Sequence, residues 1–450
     1  MRHIRQPLAD GNEPGRAALP DESFYLNQIR TKGLEMQPTQ TLLIVSSELD
    51  VANTVDAVKA RYGLEGWHVI YLIEDYLGVA RDELKRPENF IVRDFAAASD
   101  IEAMLDNIAR QHHVARVIPS DEFSVYPAAL ANDLWALPGL TREVARKFRD
   151  KKRMKEIALQ AGIKTAREIT LDDIENGRVQ YPVIVKPRSM AGSVGIKIIT
   201  DAEQLYAMDV DWLAEYRDMD EKQCFIEQYN PGTIHHIDCV VLNGELAFIS
   251  VGEYLGTPLG FLHEKPVGVL SVDDRAIDGS WRAFTEAVLT AFDAPEGVYH
   301  IEAFADSGAD PELLEIAWRP GGAAIVEMID MVYGLDLKFI HLAAQLGLND
   351  AIAVQRKEEA FGYMTFPKKH LATEALYVTG VALPPLDNMP TLRIHQVPAV
   401  GDVASGEFHC YKDSLGSFVF CGDRDRVARD VDYINAHYAV QVAAEKPIAR

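Results

Sequence analysis

Cysteine, long apolar runs and positive charge are all scarce in this chain of 450 residues. The four cysteines show no CxxC spacing, which favours scattered thiols in a cytoplasmic protein over a disulfide framework or a zinc site. The longest apolar runs, such as Thr41–Val45, fall far short of the roughly 20 residues of a membrane helix. Residues 1–20 contain no apolar stretch, so no secretory signal peptide is expected.

The charge balance is strongly acidic, with 45 Lys and Arg against 68 Asp and Glu and a net charge of −23. Such a chain repels phosphates, which excludes general nucleic-acid binding. An anionic ligand therefore needs a local basic patch. Between Arg142 and Lys155 the chain has eight basic and two acidic residues. This stretch is either a solvated helix face or the wall of an anion pocket.

Alternating strands and helices predict a parallel α/β domain near the start of the chain. No GxGxxG follows the first strand, so nothing indicates a dinucleotide site. The predicted elements of this domain are Thr41–Ser47, Val51–Tyr62, Trp67–Glu74, Ile101–Gln111 and His113–Ser120. From Tyr181 the pattern becomes rich in β-hairpins, one of which turns at Asn243-Gly244. The length and this change of pattern predict several domains of the α/β class.

A strand that ends in a lysine leads into a loop of small residues between Val183 and Gly195. Gly192 and Gly195 let backbone N–H groups approach phosphate oxygens, and Lys186 adds a positive charge beside them. A Walker A loop would open a helix, whereas this loop returns into a strand. The segment therefore predicts a flap over polyphosphate; the alternative is an ordinary hairpin with an exposed lysine.

Two glutamates, Glu302 and Glu315, interrupt apolar patterns in neighbouring predicted strands. A carboxylate in such a position is costly unless it is paired or bound to metal. A hairpin can place both on one face, where two hard oxygen ligands suit Mg²⁺. The alternative is a buried salt bridge between one glutamate and Arg319. A further strand, Phe225–Gln228, ends in a turn whose backbone could meet an adenine edge.

These pieces occur in the order and spacing of a known superfamily. The segments DKKRMKEIALQAGIKTA, YPVIVKPRSMAGSVGIKII, FIEQYNPG, HIEAF and LEIAWRPGG resemble the ATP-grasp superfamily, and more narrowly its carboxylate–amine ligases, particularly L-amino-acid (dipeptide) ligases. The resemblance covers residues 40–440. It implies an ATP-grasp fold of α+β lobes, preceded by a Rossmann-like α/β domain and followed by a β-rich C-terminal domain.

The domain boundaries expected from this resemblance divide the chain into four parts. They are a leader (1–40), an N-terminal α/β domain (41–140), an ATP-grasp domain (141–355, with lobes 141–228 and 229–355) and a β-rich domain (356–450).

The resemblance also implies roles for individual residues. Lys186 and Arg319 are the expected catalytic groups, and Glu302 and Glu315 the expected Mg²⁺ ligands. The expected ATP contacts are Lys151, Lys186, Ser189, Gly192, Ser193, Glu227, Gln228, Tyr229, Asn230 and His236. The expected substrate contacts are Glu253, His263, Arg319, Gly321 and Gly322.

Two departures from the superfamily pattern affect these roles. Many members have Asn two residues after the second metal ligand, where this chain has Ala317. Many also have a ribose-binding Glu near position 234, and here His236 or Asp238 is the candidate for that role. Neither departure removes the paired lysines and glutamates.

The implied reaction joins a carboxylate to an amine through an acyl phosphate, with ATP and two Mg²⁺ ions, for which Mn²⁺ can substitute. The expected partners are small molecules rather than nucleic acid or membrane, and a homodimer stays open. Two alternatives remain. One is an ATP-grasp carboxylase or purine-pathway-type ligase that uses formate or bicarbonate. The other is a non-catalytic nucleotide-binding regulator.

Overall fold

Four β-sheets organise the part of the chain that the computed structural model describes, namely residues 40–75, 86–207, 224–306, 310–348, 350, 352–408 and 410–447. All but the last residue of the predicted leader lies outside the described residues. The sheets combine parallel and antiparallel pairing, and helices cover them, so the α/β class expected from the sequence is confirmed.

The first sheet is parallel, with the strand order β3-β2-β1-β4. All six residues of β1 are buried, as expected for a parallel strand that is covered on both faces. The predicted βαβ arrangement is therefore present, and β3 is an additional edge strand. The elements are β1 (Thr41–Ser46), α1 (Val51–Tyr62), β2 (His68–Glu74), β3 (Asn89–Val92), α2 (Ala98–Gln111), β4 (Val114–Pro119) and α3 (Val125–Leu134).

The basic stretch predicted to be helical forms two helices that are separated at Asp150. The Asp150 side chain accepts hydrogen bonds from the backbone N–H groups of Lys152 and Arg153, so it caps the second helix. A three-stranded antiparallel sheet of order β6-β5-β7 follows. These elements are α4 (Arg142–Arg149), α5 (Lys151–Gln160), α6 (Leu171–Glu175), β5 (Val183–Pro187), β6 (Lys197–Ile199), α7 (Ala202–Tyr206) and β7 (Cys224–Gln228).

The largest sheet has eight strands in the order β12-β11-β8-β9-β10-β13-β16-β15, and all its pairs are antiparallel. The predicted hairpins β8–β9 and β11–β12 are both present. The strands are β8 (Ile234–Leu242), β9 (Glu245–Leu255), β10 (Val267–Ser271), β11 (Gly297–Phe304), β12 (Glu312–Ala317), β13 (Ala360–Pro367), β15 (Leu392–Gln396) and β16 (Ser414–Gly422).

Helices pack on this sheet, and a small two-stranded sheet completes the described fold. The helices are α8 (Pro258–Leu262), α9 (Asp274–Ala276), a π-helical turn (Ile277–Trp281), α10 (Arg282–Phe292), α11 (Ile325–Tyr333), α12 (Leu337–Gln345), a 3₁₀ turn (Leu386–Asn388) and α13 (Arg424–His437). The small sheet pairs β14 (Tyr377–Ala382) with β17 (Ala439–Ala443). None of the described helices combines the length and the hydropathy needed to cross a membrane.

The first sheet is joined to the rest of the molecule by a shared apolar core. Leu342 and Ala343 of α12 pack in one cluster with Val51 and Val55 of α1. This packing holds the carboxyl ends of the parallel strands close to the large sheet. The loop after β4 can therefore supply side chains to a site on that sheet.

Candidate active site

Glu302 on β11 and Glu315 on β12 are direct cross-strand partners. Such partners project from the same face of a sheet, with Cβ atoms about 4.5–5.5 Å apart. The Glu315 side chain is 26% exposed and that of Glu302 is 11% exposed. The predicted hairpin therefore brings both carboxylates together on one face of the large sheet.

Lys151, the first residue of α5, lies beside this pair. Its Nζ is 2.9 Å from Glu315 Oε2 and donates a hydrogen bond of 2.7 Å to the carbonyl of Met190. Burial raises the pKa of the Glu315 carboxyl, but Lys151, with Lys186 and Arg319, lowers it to about 2. Glu315 is therefore ionised at neutral pH.

Lys186 lies at the end of β5 and is almost fully buried. Its Nζ donates to Oε2 of the buried Glu227 at 2.6 Å, and Lys155 Nζ lies 3.3 Å from the other oxygen, Oε1. Burial raises the pKa of Glu227, but the two lysines lower it overall. Lys155 was missed by sequence reasoning, although it lies four residues after Lys151 and so on the same face of α5.

The loop between β5 and β6 has the backbone expected of a small-residue flap. Gly192 and Ser193 are both in the left-handed region, with φ of 63° and 62°. A Cβ atom at Gly192 would lie 3.1 Å from the ring of Phe408, so the loop also packs closely on the C-terminal part of the chain. The Ser189 carbonyl accepts a hydrogen bond of 2.5 Å from Arg149. This loop lies directly after Lys186.

The predicted adenine strand β7 lies at the edge of its sheet, but most of its outer backbone is already paired. The amide of Ile169 donates to Ile226 at 2.8 Å, and the amide of Gln228 donates to Arg167 at 2.9 Å. The Glu227 side chain points to the lysines. Any contact with adenine at this strand therefore begins after Gln228, near Tyr229 and Asn230. Asn230 is held by a hydrogen bond of 3.0 Å to Glu312.

Arg319 follows β12 and meets a carboxylate from the parallel sheet. Its Nε lies 2.6 Å from Oε2 of Glu122, in the loop after β4. Glu122 also pairs with Arg149. Sequence reasoning did not single out Glu122. The available signal was its position after a parallel strand, where α/β domains usually place functional side chains.

A buried cluster of His236, Asp238 and His300 lies behind Glu302 on the same sheet face. His236 Nδ1 is 2.6 Å from Asp238 Oδ2, and His300 Nδ1 is 3.0 Å from Asp238 Oδ1. Burial lowers the pKa of His300, but Asp238 raises it to about 9. The hydroxyl of Tyr254 donates to Glu302 Oε1 at 3.0 Å. The His236 side chain is fully buried, so the structure does not expose it to a ribose. Its contact with ribose stays a prediction.

Gly321 and Gly322, expected near the substrate, differ in their surroundings. A Cβ atom at Gly321 would lie 2.5 Å from Asp238 Oδ1, whereas one at Gly322 would meet nothing within 4 Å. Gly321 therefore allows the segment after Arg319 to approach the buried cluster. Gly322 is not constrained in this way.

The structure does not bring Glu253 to the face of the large sheet that carries Glu302. Glu302 lies opposite His236 on the neighbouring strand, and His236 lies opposite Gly252 on the next one. Glu253 lies opposite His235. Glu253 is therefore on the opposite face, with its Oε2 3.6 Å from His235 Nε2. His263 is exposed at the end of α8. Glu253 is therefore not gathered around the glutamate pair.

An aromatic cluster from distant parts of the chain lies next to the small-residue loop. Phe261 of α8 contacts Phe408 and Tyr411, with ring centroids 6.1 and 5.0 Å apart. Burial and the charge of Glu302 raise the pKa of Tyr411, and an interaction with the nearby Ser193 side chain opposes this shift. Sequence reasoning missed these aromatic residues. Phe408 and Tyr411 thus reach the small-residue loop from the C-terminal part of the chain.

The donor set at Glu302 and Glu315 fits a magnesium ion. Both groups are carboxylates, Glu315 is ionised, and their strand register places them on one face. Hard oxygen ligands of this kind are preferred by Mg²⁺. The two lysines nearby suit the phosphates that such an ion accompanies.

Comparison with known proteins agrees with this geometry. Residues 150–252 match the model of the carbamoyl-phosphate synthase L chain ATP-binding domain. The L-arginine-specific L-amino acid ligase of Bacillus subtilis is 23% identical over 293 residues, which are 62% of this chain and 69% of that protein. The crystal structure of an L-amino acid ligase from Bacillus licheniformis aligns with a TM-score of 0.69 at 16% identity, covering 90% and 99% of the two chains.

The expected resemblance to the ATP-grasp superfamily, and more narrowly to its carboxylate–amine ligases, is confirmed. The relatives support an ATP-dependent ligase of the C–N bond-forming class. Another structure of the same fold is the biotin carboxylase domain of Hydrogenobacter thermophilus 2-oxoglutarate carboxylase, in complex with MgADP. It aligns with a TM-score of 0.59 at 14% identity over 90% of this chain and 91% of that one.

Proposed function

We propose that the protein joins the carboxylate of one amino acid, or a closely related acid, to the amine of another in two steps. A carboxylate oxygen attacks the γ-phosphorus of ATP, the bond to the β–γ bridging oxygen breaks, and ADP leaves. The amine nitrogen then attacks the acyl carbon of the resulting acyl phosphate. The carbon–oxygen bond breaks, inorganic phosphate leaves, and the amine gives up its proton. The product is an amide.

The observation that carries this proposal is the convergence of Lys151, Lys186 and Glu302 around Glu315. Phosphoryl transfer requires mainly positioning and charge neutralisation from the protein. In this proposal the two lysines bind the phosphates. Glu302 and Glu315 would hold Mg²⁺, which when bound neutralises phosphate charge.

Arg319 and the small-residue loop have complementary roles in the proposal. Arg319 is held by Glu122, so its guanidinium is oriented before substrate arrives. It would bind the oxygens of the transferred phosphoryl group. The loop from Ser189 to Gly195 would close over the triphosphate and exclude water, because an acyl phosphate is readily hydrolysed.

A substrate screen tests the reaction. Phosphate release from ATP in the presence of Mg²⁺ is measured over single amino acids and over pairs, and active mixtures are analysed by mass spectrometry. We expect release that depends on two amino acids, together with a product whose mass is their sum minus water.

Other outcomes would support the remaining alternatives. Release that depends on bicarbonate or formate would favour a carboxylase or a purine-pathway-type ligase. ATP binding without ADP formation over the whole panel would contradict the ligation proposal and support a nucleotide-binding regulator.

A further inference from the structure

The buried charges next to the small-residue loop include one carboxylate and two ammonium groups. The Glu227 side chain is fully buried, and those of Lys155 and Lys186 are each 6% exposed. Lys186 Nζ lies 2.6 Å from one carboxylate oxygen, and Lys155 Nζ lies 3.3 Å from the other. The function proposed above uses only Lys186. Lys155 has no role in it.

Lys155 is anchored independently of Lys186. Its Nζ also donates a hydrogen bond of 2.9 Å to the carbonyl of Leu313 on β12, two residues before Glu315. It therefore connects helix α5 with strands β7 and β12. Burial lowers the pKa of Lys155 to about 8, an effect that Glu227 opposes.

We propose that Lys155 is a positioning residue that holds the Glu227 carboxylate, so that Lys186 is free to bind the phosphates of ATP. This inference rests on the proposed function. Each lysine engages a different oxygen of Glu227, so Lys186 can leave without removing the last partner of the carboxylate. A buried carboxylate that has lost every partner is strongly unfavourable.

The consequence of removing Lys155 follows from the same geometry. With Lys155 absent, Lys186 becomes the remaining ammonium at Glu227. Its transfer to a phosphate would then leave a buried charge unpaired. Lys186 should therefore stay with Glu227, and the affinity for phosphate should fall although Lys186 itself is intact.

The test compares Lys155→Met with Lys152→Met, a matched control on the same helix. Lys152 is 36% exposed and pairs with Glu168 rather than Glu227. Dissociation constants for ATP and for adenosine are measured by equilibrium competition. We expect Lys155→Met to weaken ATP binding by about tenfold or more, because a charge-assisted contact is withheld. Adenosine binding in this variant, and both ligands in Lys152→Met, should change by less than about twofold.

A double variant, Lys155→Met/Glu227→Gln, keeps the proposal testable if the single variant does not fold. Its neutral side chain at position 227 no longer retains Lys186 by charge. We expect ATP affinity to return to within about threefold of the original protein, since the phosphate contact is available again. Lys186→Ala serves as the reference for complete loss of that contact.

Three results would overturn the inference. Lys155→Met with unchanged ATP affinity would show that Lys155 does not control Lys186. Equal losses for ATP and adenosine would show that Lys155 only supports the fold. A folded double variant that binds ATP as weakly as Lys186→Ala would show that releasing Lys186 is not the effect of Lys155. Failure of the original protein to bind ATP would instead overturn the proposed function, and this inference with it.

Discussion

Each lysine and arginine expected to meet ATP or substrate is paired with a carboxylate in this structure. Lys151 pairs with Glu315, Lys186 with Glu227 and Arg319 with Glu122. Paired groups are held in defined positions by charge-assisted hydrogen bonds. The site thus concentrates positive charge in an acidic protein without leaving those charges unpaired in a buried region. The roles of these residues in binding and catalysis are predictions that mutation can test.

The proposed metal ligand Glu315 gives one such test. Replacement by Gln removes a negative charge at the position where Mg²⁺ would bind, and we expect the turnover rate to fall roughly 100-fold or more. Initial rates of phosphate release over a range of Mg²⁺ concentrations measure the effect. Circular dichroism should be unchanged. Glu286→Gln, on an exposed position of α10, is the control. Full activity in Glu315→Gln would remove this residue from the metal site.

The pair of neighbouring glycines gives a test of packing. A Cβ atom at Gly321 would lie 2.5 Å from Asp238 Oδ1, and at Gly322 it would meet nothing within 4 Å. We expect Gly321→Ala to reduce the free energy of unfolding by about 1–3 kcal/mol, the usual cost of overpacking. Gly322→Ala should have a smaller effect. Denaturant unfolding measures the free energy of unfolding of the two variants. Equal values for both would show that the segment at Gly321 moves away from Asp238 without strain.

At the scale of elements, short connections place the site. The β11–β12 hairpin sets Glu302 opposite Glu315, and the loop from β5 to β6 begins directly after Lys186. The start of α5 places Lys151 beside Glu315. The carboxyl edge of the parallel sheet adds Glu122. Most of these side chains lie at or near the ends of strands and helices, where they have room to project.

Glu74, at the end of β2, should make the stability of the fold depend on pH. This residue does not belong to the candidate active site. Burial raises the pKa of Glu74 from 4.5 to about 7, although the amide of Phe95 donates to it. The folded state therefore binds a proton more readily, and the free energy of unfolding falls as the pH rises from 4.5 to about 7. Above this range the folded state carries the full cost of ionising the buried carboxyl, on the order of 3 kcal/mol.

Substitution of Glu74 by Gln should remove this cost while retaining an oxygen that accepts from Phe95. We expect the variant to gain stability over the original protein at pH ~8 and to differ little at pH ~4.5. Thermal unfolding at both pH values checks this. Glu65→Gln, on an exposed position in the same part of the chain, is the control. An equal change at the two pH values would contradict a pH-dependent contribution from Glu74.

At the scale of the whole molecule, the C-terminal part of the chain is built into the large sheet. Strand β13 lies between β10 and β16, so the sheet continues across the boundary predicted at residue 355. Phe361 and Tyr363 of β13 belong to the same core as Phe248 and Val269. Phe408 packs against the small-residue loop at Gly192. The domain boundaries stay a prediction. Strands that precede and follow residue 355 nevertheless share a sheet and a core.

A shortened chain that ends at residue 355 tests this continuity. Its loss of β13 would leave β10 as an unpaired edge and would expose an apolar core, a combination that promotes aggregation. We expect the shortened chain to be insoluble under conditions in which the full chain is soluble. Fractionation of cell extracts followed by size-exclusion chromatography measures the outcome. A soluble fragment with a cooperative unfolding transition would show that residues 356–450 form an independent unit.

The sequence by itself determined the parallel βαβ arrangement, the main hairpins and the pairing of Glu302 with Glu315. Periodicity and turn residues report local structure, and a hairpin joins residues that are close in the chain. The motif resemblance likewise singled out Lys151 and Lys186, whose contacts with ATP stay a prediction. It did not show that Glu227 is buried between two lysines, or that Glu253 faces away from Glu302.

Only the tertiary structure decided which charges and rings complete the site. Glu122 and Arg319 are 197 residues apart in sequence, and Lys155 is 158 residues from the Leu313 carbonyl that it contacts. Neither spacing has a local signature, since such contacts depend on how sheets and helices pack. The same reason applies to Tyr411, which approaches Ser193 although the two residues are far apart in the chain. Local patterns specify elements, whereas long-range packing selects the partners of each buried charge.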